Sequence, residues 1–173
     1  MNNRKVNILL VDDDPQDRRL VEVTLASSNP HIQYNMETAD TLSEAKRRLS
    51  NSSYDVLLLD LNLPDSSGID TIQQAQDTNS DASIVVLTGL DDEEMGLEAI
   101  RRGAEDYLIK GKSLEHILVR TIRYSLERKR VKKRLKETEN RFRSVVQTAG
   151  SAIFVLSAEY RILEWNEQAE HLY

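Results

Sequence analysis

Residues 6–15 read VNILLVDDDP, an apolar run broken only by Asn7 and closed by three aspartates and a proline. A short, nearly continuous apolar run that ends in turn formers is the pattern of a strand covered on both faces. Asp14 followed by Pro15 then reads as the N-cap and first residue of a helix. Three further runs repeat the arrangement: YDVLLLD at 54–60, SIVVLT at 83–88 and DYLIK at 106–110. Each delivers a polar group at its C-terminal end: Asp12 and Asp13 after the first, then Asp60, Thr88 and Lys110. Parallel strands of an open α/β sheet bring such residues together along one edge, where ligands of these folds bind.

Working outward, strand-like and helix-like patterns alternate five times over the first 110 residues, as expected for βα units around a parallel sheet. Strands are expected near 5–11, 32–38, 54–60, 83–88 and 105–109. IQYNMETA is the most polar of them and belongs at an edge. In the first helix, Leu20, Val21, Val23, Thr24 and Leu25 are expected to supply the buried stripe. Asp40 or Thr41 should cap the second helix, Gly68 precedes the third, and Asp91 should open the fourth.

The chain has 173 residues and no cysteine, which excludes disulfides and thiolate chemistry and fits a reducing, cytoplasmic setting. The N-terminus lacks signal-peptide character, and its apolar run is too short to span a membrane. Charge is divided: residues 1–112 hold 21 acidic and 11 basic residues, whereas 113–173 hold 8 and 12. Acidity in the first part disfavours nucleic acid as a partner there.

Between Lys112 and Gly150 there is neither Pro nor Gly, and helix formers dominate, so one long helix is expected. Leu114, Ile117, Leu118 and Ile122 should pack on the sheet. Tyr124, Arg128, Val131, Leu135, Thr138, Phe142 and Val145 then recur at steps of four and three, a heptad seam interrupted at Arg128, which implies a homodimeric coiled coil. The basic run RKRVKKRLK at 128–136 lacks interleaved aromatics and reads as a solvated helix surface rather than a nucleic-acid patch. After Gly150, SAIFVLSAEYRILEW alternates as a hairpin around 158–160, and NEQAEHLY begins another helix. So short a piece cannot enclose a core of its own.

Three close aspartates repel one another unless a cation intervenes, and Mg²⁺ takes carboxylate ligands while keeping places for water and a phosphate. Asp12 and Asp13 are placed to hold such an ion. Asp60, alone on the loop DLNLPDSSG, is available as a nucleophile toward phosphorus. Lys110 and Thr88 can meet charge on the transferring oxygens, and Gly89 leaves room for approach. Taken singly, each residue has an ordinary use: an aspartate after a strand is commonly a turn former, Thr88 a cap, Lys110 a surface charge, Tyr107 strand packing. Their conjunction carries the functional reading.

On these residues the chain resembles the receiver domain of two-component response regulators. The matching motifs are LLVDDDP (Asp12, Asp13), LLLDLNLPDSSG (Asp60), VVLTG (Thr88) and GAEDYLIKG (Lys110), covering about two thirds of the chain. The resemblance implies a flavodoxin-like α/β fold, a doubly wound five-stranded parallel sheet of order 2-1-3-4-5. It implies that Asp60 accepts a phosphoryl group from a histidine kinase or phosphotransfer protein. Mg²⁺ would be held by Asp13, Asp60 and the backbone carbonyl of Asn62, with Asp12 acting through water. Thr88 and Lys110 would contact the phosphoryl oxygens, and Tyr107, three before the lysine, would turn with Thr88 as a switch. Gly111 departs from the family, which usually has proline after the lysine.

More weakly, ENRFRSVVQTAGSAIFVLSAEYRILEWNEQAEHL resembles the opening of a PAS sensor domain. The expected organisation is a receiver over 1–125, a signalling helix over 126–147 and a truncated PAS-like hairpin over 148–173. The expectation is therefore a cytoplasmic phosphoacceptor that is not an enzyme beyond its own phosphoryl transfer and dephosphorylation. It has no membrane partner, and a longer parent could be a histidine kinase. The alternative is a Mg²⁺-dependent phosphatase with an aspartate nucleophile, but enzymes of the haloacid dehalogenase type carry a second aspartate two residues on, where Asn62 stands here.

Overall fold

The computed structural model describes residues 5–27, 33–78, 81–89, 93–111 and 114–172. They divide into two compact units, one ending at Arg128 and one beginning at Lys129. In chain order the first holds β1 (Lys5–Val11), α1 (Pro15–Ala26), β2 (Gln33–Ala39), α2 (Leu42–Asn51), β3 (Val56–Asp60), a ribbon of β4 (Asn62–Leu63) and β5 (Ser66–Ser67), and α3 (Asp70–Gln76). β6 (Ser83–Thr88), α4 (Glu93–Arg101), β7 (Asp106–Ile109) and the start of α5 (Leu114–Gln147) follow. Asp91, expected to open α4, lies outside the described residues.

The sheet is parallel with order β2-β1-β3-β6-β7, which over the five long strands is 2-1-3-4-5. The polar strand β2 takes an edge, as its composition requires. Alternation along the central strands sends side chains to two separate cores. Leu9, Val11, Leu57, Leu59 and Val86 meet Leu42, Ala45, Leu49, Ile72 and Ala99 of α2, α3 and α4 on one face. Ile8, Leu10, Val56, Leu58, Val85 and Leu87 meet Val21 and Leu25 of α1 and Leu114, Leu118 and Ile122 of α5 on the other. Each such leucine or isoleucine, fully withdrawn from water, contributes about 2 kcal/mol.

Two capping expectations hold. Asp14 accepts a hydrogen bond from the Gln16 amide at the start of α1, and Thr41 accepts one from Glu44 at the start of α2. Val23 departs from the expected stripe: it is 48% exposed, while Val21, Thr24 and Leu25 are buried. Positions three and four residues apart share a helix face, and a position two residues on does not.

In the second unit, β8 (Phe154–Leu156) and β9 (Ile162–Trp165) form an antiparallel hairpin followed by α6 (Glu167–Glu170). Its turn passes through Tyr160 with φ of 60°, the last residue of the expected 158–160 stretch. Asn166 is fully buried and ties the unit together. Its Oδ1 accepts from the Ile153 and Ala169 amides, and its Nδ2 donates to the Val146 and Ser151 carbonyls. Among the described residues, no helix is long and apolar enough to cross a membrane.

Candidate functional site

Strand ends and the turns that follow them build the site. The Asp12 amide donates to the Ala39 carbonyl (3.1 Å), fixing the exit of β1 against β2, and the Lys110 amide donates to the Thr88 carbonyl (2.7 Å), carrying β7 one residue further along β6. Two short turns orient the carboxylates. Asp12 Oδ1 accepts from the Asp14 amide (2.9 Å), and Asp60 Oδ1 accepts from the Asn62 amide (3.0 Å). These local bonds are the reason an aspartate suits each strand end, since its short side chain reaches the backbone two residues on.

Asp12, Asp13 and Asp60 come together, each offering a carboxylate oxygen within 4.8 Å of the others. Asp12 and Asp60 are buried and Asp13 is exposed. Lys110 enters between them, its Nζ 2.7 Å from Asp60 Oδ2 and 2.8 Å from Asp12 Oδ2. The contact with Asp12 is close enough for an ion pair but not aligned as a hydrogen bond. Thr88 is buried at the end of β6, and among the described residues its hydroxyl makes only a long contact, 3.5 Å, to the Leu108 carbonyl. That hydroxyl is weakly held and can turn to another acceptor.

Burial pushes the Asp12 carboxyl above its ordinary pKa, and the favourable bonds from Lys110 and the Asp14 amide offset this only in part. At Lys110, burial favours the neutral amine, but the close carboxylates of Asp12, Asp17 and Asp60 outweigh it and raise the pKa above the ordinary lysine value. The ammonium is therefore charged and surrounded by carboxylates. Such a group of hard oxygen donors fits a divalent cation of the Mg²⁺ kind, with the lysine supplying a fixed positive charge beside it.

Tyr107 is partly buried on β7 and packs against the core cluster beneath α4. Its ring lies across the bare backbone of Gly96, and a Cβ there would meet two of its ring carbons at 2.7 Å. Gly111 takes φ of 134°, a conformation closed to proline, whose ring holds φ near −65°. The glycine thus follows its own path out of Lys110, with no cis peptide among the described residues.

Three contributors escaped the reading of the sequence. Asp17, in the first turn of α1, places Oδ2 2.8 Å from Lys110 Nζ. Arg18 donates to the Asp12 carbonyl at 2.6 Å and pairs with Asp40 at 2.8 Å, bracing the acidic turn from outside. Asp65, in the loop after Asp60, accepts from the Leu42 amide and from the amide and hydroxyl of Ser43, fastening that loop to the start of α2. The first two were legible in principle, because the first turn of a helix that follows a strand end faces the same edge. Asp65 was not, because its partners lie more than twenty residues away.

Residues 8–122 match the family described as "Response regulator receiver domain". Among curated proteins, the chain is 31% identical over 102 residues to the response regulator protein PilR of Pseudomonas aeruginosa, covering 59% of this chain and 22% of that protein. It is 35% identical over 115 residues to the response regulator MprA of Mycobacterium sp. (strain KMS), covering 66% of this chain and 48% of MprA. The chain thus spans half or less of the length of either relative. Among solved structures it resembles a two-component response regulator of the LuxR family from Aurantimonas sp. SI85-9A1, with 27% identity and a TM-score of 0.61 over 72% of this chain and 86% of that one. A receiver domain protein from Clostridium thermocellum gives 24% identity and a TM-score of 0.62, over 73% and 98%.

Proposed function

The chain belongs to the response regulator receiver family, and on that premise we propose that it is a phosphoacceptor whose Asp60 takes a phosphoryl group from a phosphohistidine on a histidine kinase or phosphotransfer protein. An Asp60 carboxylate oxygen attacks phosphorus. The P–O bond forms as the P–N bond breaks, and the electron pair returns to the imidazole nitrogen. Negative charge spreading over the phosphoryl oxygens is met by the Lys110 ammonium and by the Thr88 hydroxyl, which has only a long contact to give up. Asp12, Asp13, Asp60 and the Asn62 carbonyl hold Mg²⁺, which when bound neutralises part of the charge gathered there. The observation that carries this reading is the convergence of three carboxylates within 4.8 Å of one another, with Lys110 2.7 Å from Asp60.

Tyr107 and Thr88 form the switch in this reading, and α5 carries its state onward. Arg128 of α5 pairs with Asp106, the neighbour of Tyr107, at 3.0 Å, which also accounts for the polar interruption of the heptad seam. We place the receiver over 1–125, a dimerising signalling helix over 126–147, and the beginning of a PAS-like output over 148–173. Incubation of the chain with Mg²⁺ and acetyl phosphate is expected to give one hydroxylamine-labile adduct on Asp60, read by intact and peptide mass. Asp60→Asn is expected to lose it, and chelation of Mg²⁺ to suppress it. No adduct on the parent chain, or an adduct that persists in D60N, overturns the proposal.

A further inference from the structure

A lysine ammonium has three N–H donors, and three carboxylate oxygens surround that of Lys110: Asp60 Oδ2 at 2.7 Å and Asp12 Oδ2 and Asp17 Oδ2 at 2.8 Å. Transfer to Asp60 needs Lys110 to face the phosphoryl oxygens, so one of these partners has to yield. The Asp12 side chain is fully buried, the Asp60 side chain is 9% exposed and the Asp17 side chain is 33% exposed. A carboxylate released into a site closed to water loses its compensation, whereas one with access to solvent is rehydrated. Asp17 also stands on a fixed support, in the first turn of a helix that begins with the Asp14 cap and Pro15.

Building on the phosphoacceptor reading above, we propose that Asp17 is a positioning residue that holds Lys110 in the resting chain and competes with the phosphoryl group for it. Before transfer it completes the ring of carboxylates around the ammonium and keeps Nζ pointed into the acidic edge. After transfer it is the partner displaced toward water, and its charge still draws on the same lysine. The acyl phosphate is consequently held less firmly than it would be with a neutral residue at 17. No bond to Asp17 is made or broken in this exchange; its effect is on the lifetime of the phosphorylated state.

The test compares the parent chain with Asp17→Asn and Asp17→Glu at saturating Mg²⁺, following adduct decay after acetyl phosphate is removed. D17N, which keeps shape and loses charge, is expected to lengthen the lifetime about fivefold, the scale of one partly exposed ion pair. D17E, which keeps the charge, is expected to stay near the parent. As a readout without turnover, trifluoroberyllate with Mg²⁺ is expected to raise the melting temperature of D17N more than that of the parent. A D17N adduct that decays as fast as the parent's, or faster, overturns the assignment. If D17N melts well below the parent before ligand is added, Asp17→Ser is read in the same way. A parent that takes no adduct at all overturns the phosphoacceptor reading itself, an outcome distinct from a parent that phosphorylates normally beside an unaltered D17N.

Discussion

Gly96 and Tyr107 occupy a space that only one of them can fill. Gly96 is buried on α4, and a Cβ built there would run into the tyrosine ring. In a helix interior, glycine to alanine ordinarily gains about 1 kcal/mol. Here the sign should reverse: Gly96→Ala forces the ring off its rotamer and is expected to destabilise the chain by about 1–3 kcal/mol, the usual range for overpacking. The same substitution in a Tyr107→Ala background should recover the helix-propensity gain. Thermal melts of the single and double variants check both statements. A stabilised G96A with an unmoved Tyr107 resonance would show that the ring already has another place to go.

Among elements, the β3–α3 loop owes its placement to a distant partner. Asp65 anchors it by accepting two amides and a hydroxyl at the N-terminus of α2. Desolvation works against ionisation there, but the bonds from Ser43 and Leu42 outweigh it and hold the Asp65 carboxyl below the usual carboxylate range. A carboxyl depressed in the folded state adds stability above its unfolded pKa, and that stability is lost as pH falls through the lower, folded value. Asp65→Ala is therefore expected to cost about 1 kcal/mol near neutral pH, the scale of a helix cap. The gap between parent and D65A should close as melts are taken down through the acid range. An unchanged gap at the lowest pH would assign the anchor to something other than the ionised carboxylate.

Over the molecule as a whole, apolar exposure gathers in the second unit and on α5. Val131, Leu135, Phe142 and Val145 are between 57% and 68% exposed, at the heptad positions read from the sequence. An apolar stripe with this period suits a coiled-coil partner, and the proposed dimer would pack along it. Light scattering is expected to report a dimer for the full chain and a monomer for the Leu135→Glu, Phe142→Glu double variant, with Asp60 phosphorylation retained in both. A monomeric parent at tens of micromolar would remove the dimer from the scheme.

The order of elements, the two-faced burial of the sheet and the meeting of Asp12, Asp13, Asp60, Thr88 and Lys110 at one edge were determined by the sequence itself. Apolar runs of strand length, each ending in a polar residue, leave a parallel α/β sheet little choice about where those ends collect. Tertiary structure alone decided the rest. It seated Tyr107 over Gly96, fastened Asp65 to α2 and turned Arg128 from the heptad seam to Asp106. Each is a contact between groups on different elements, fixed by helix rotation and loop path rather than by periodicity. Val23 marks the boundary between the two, since its type fits the buried stripe and only the packed helix shows that its face is turned to water.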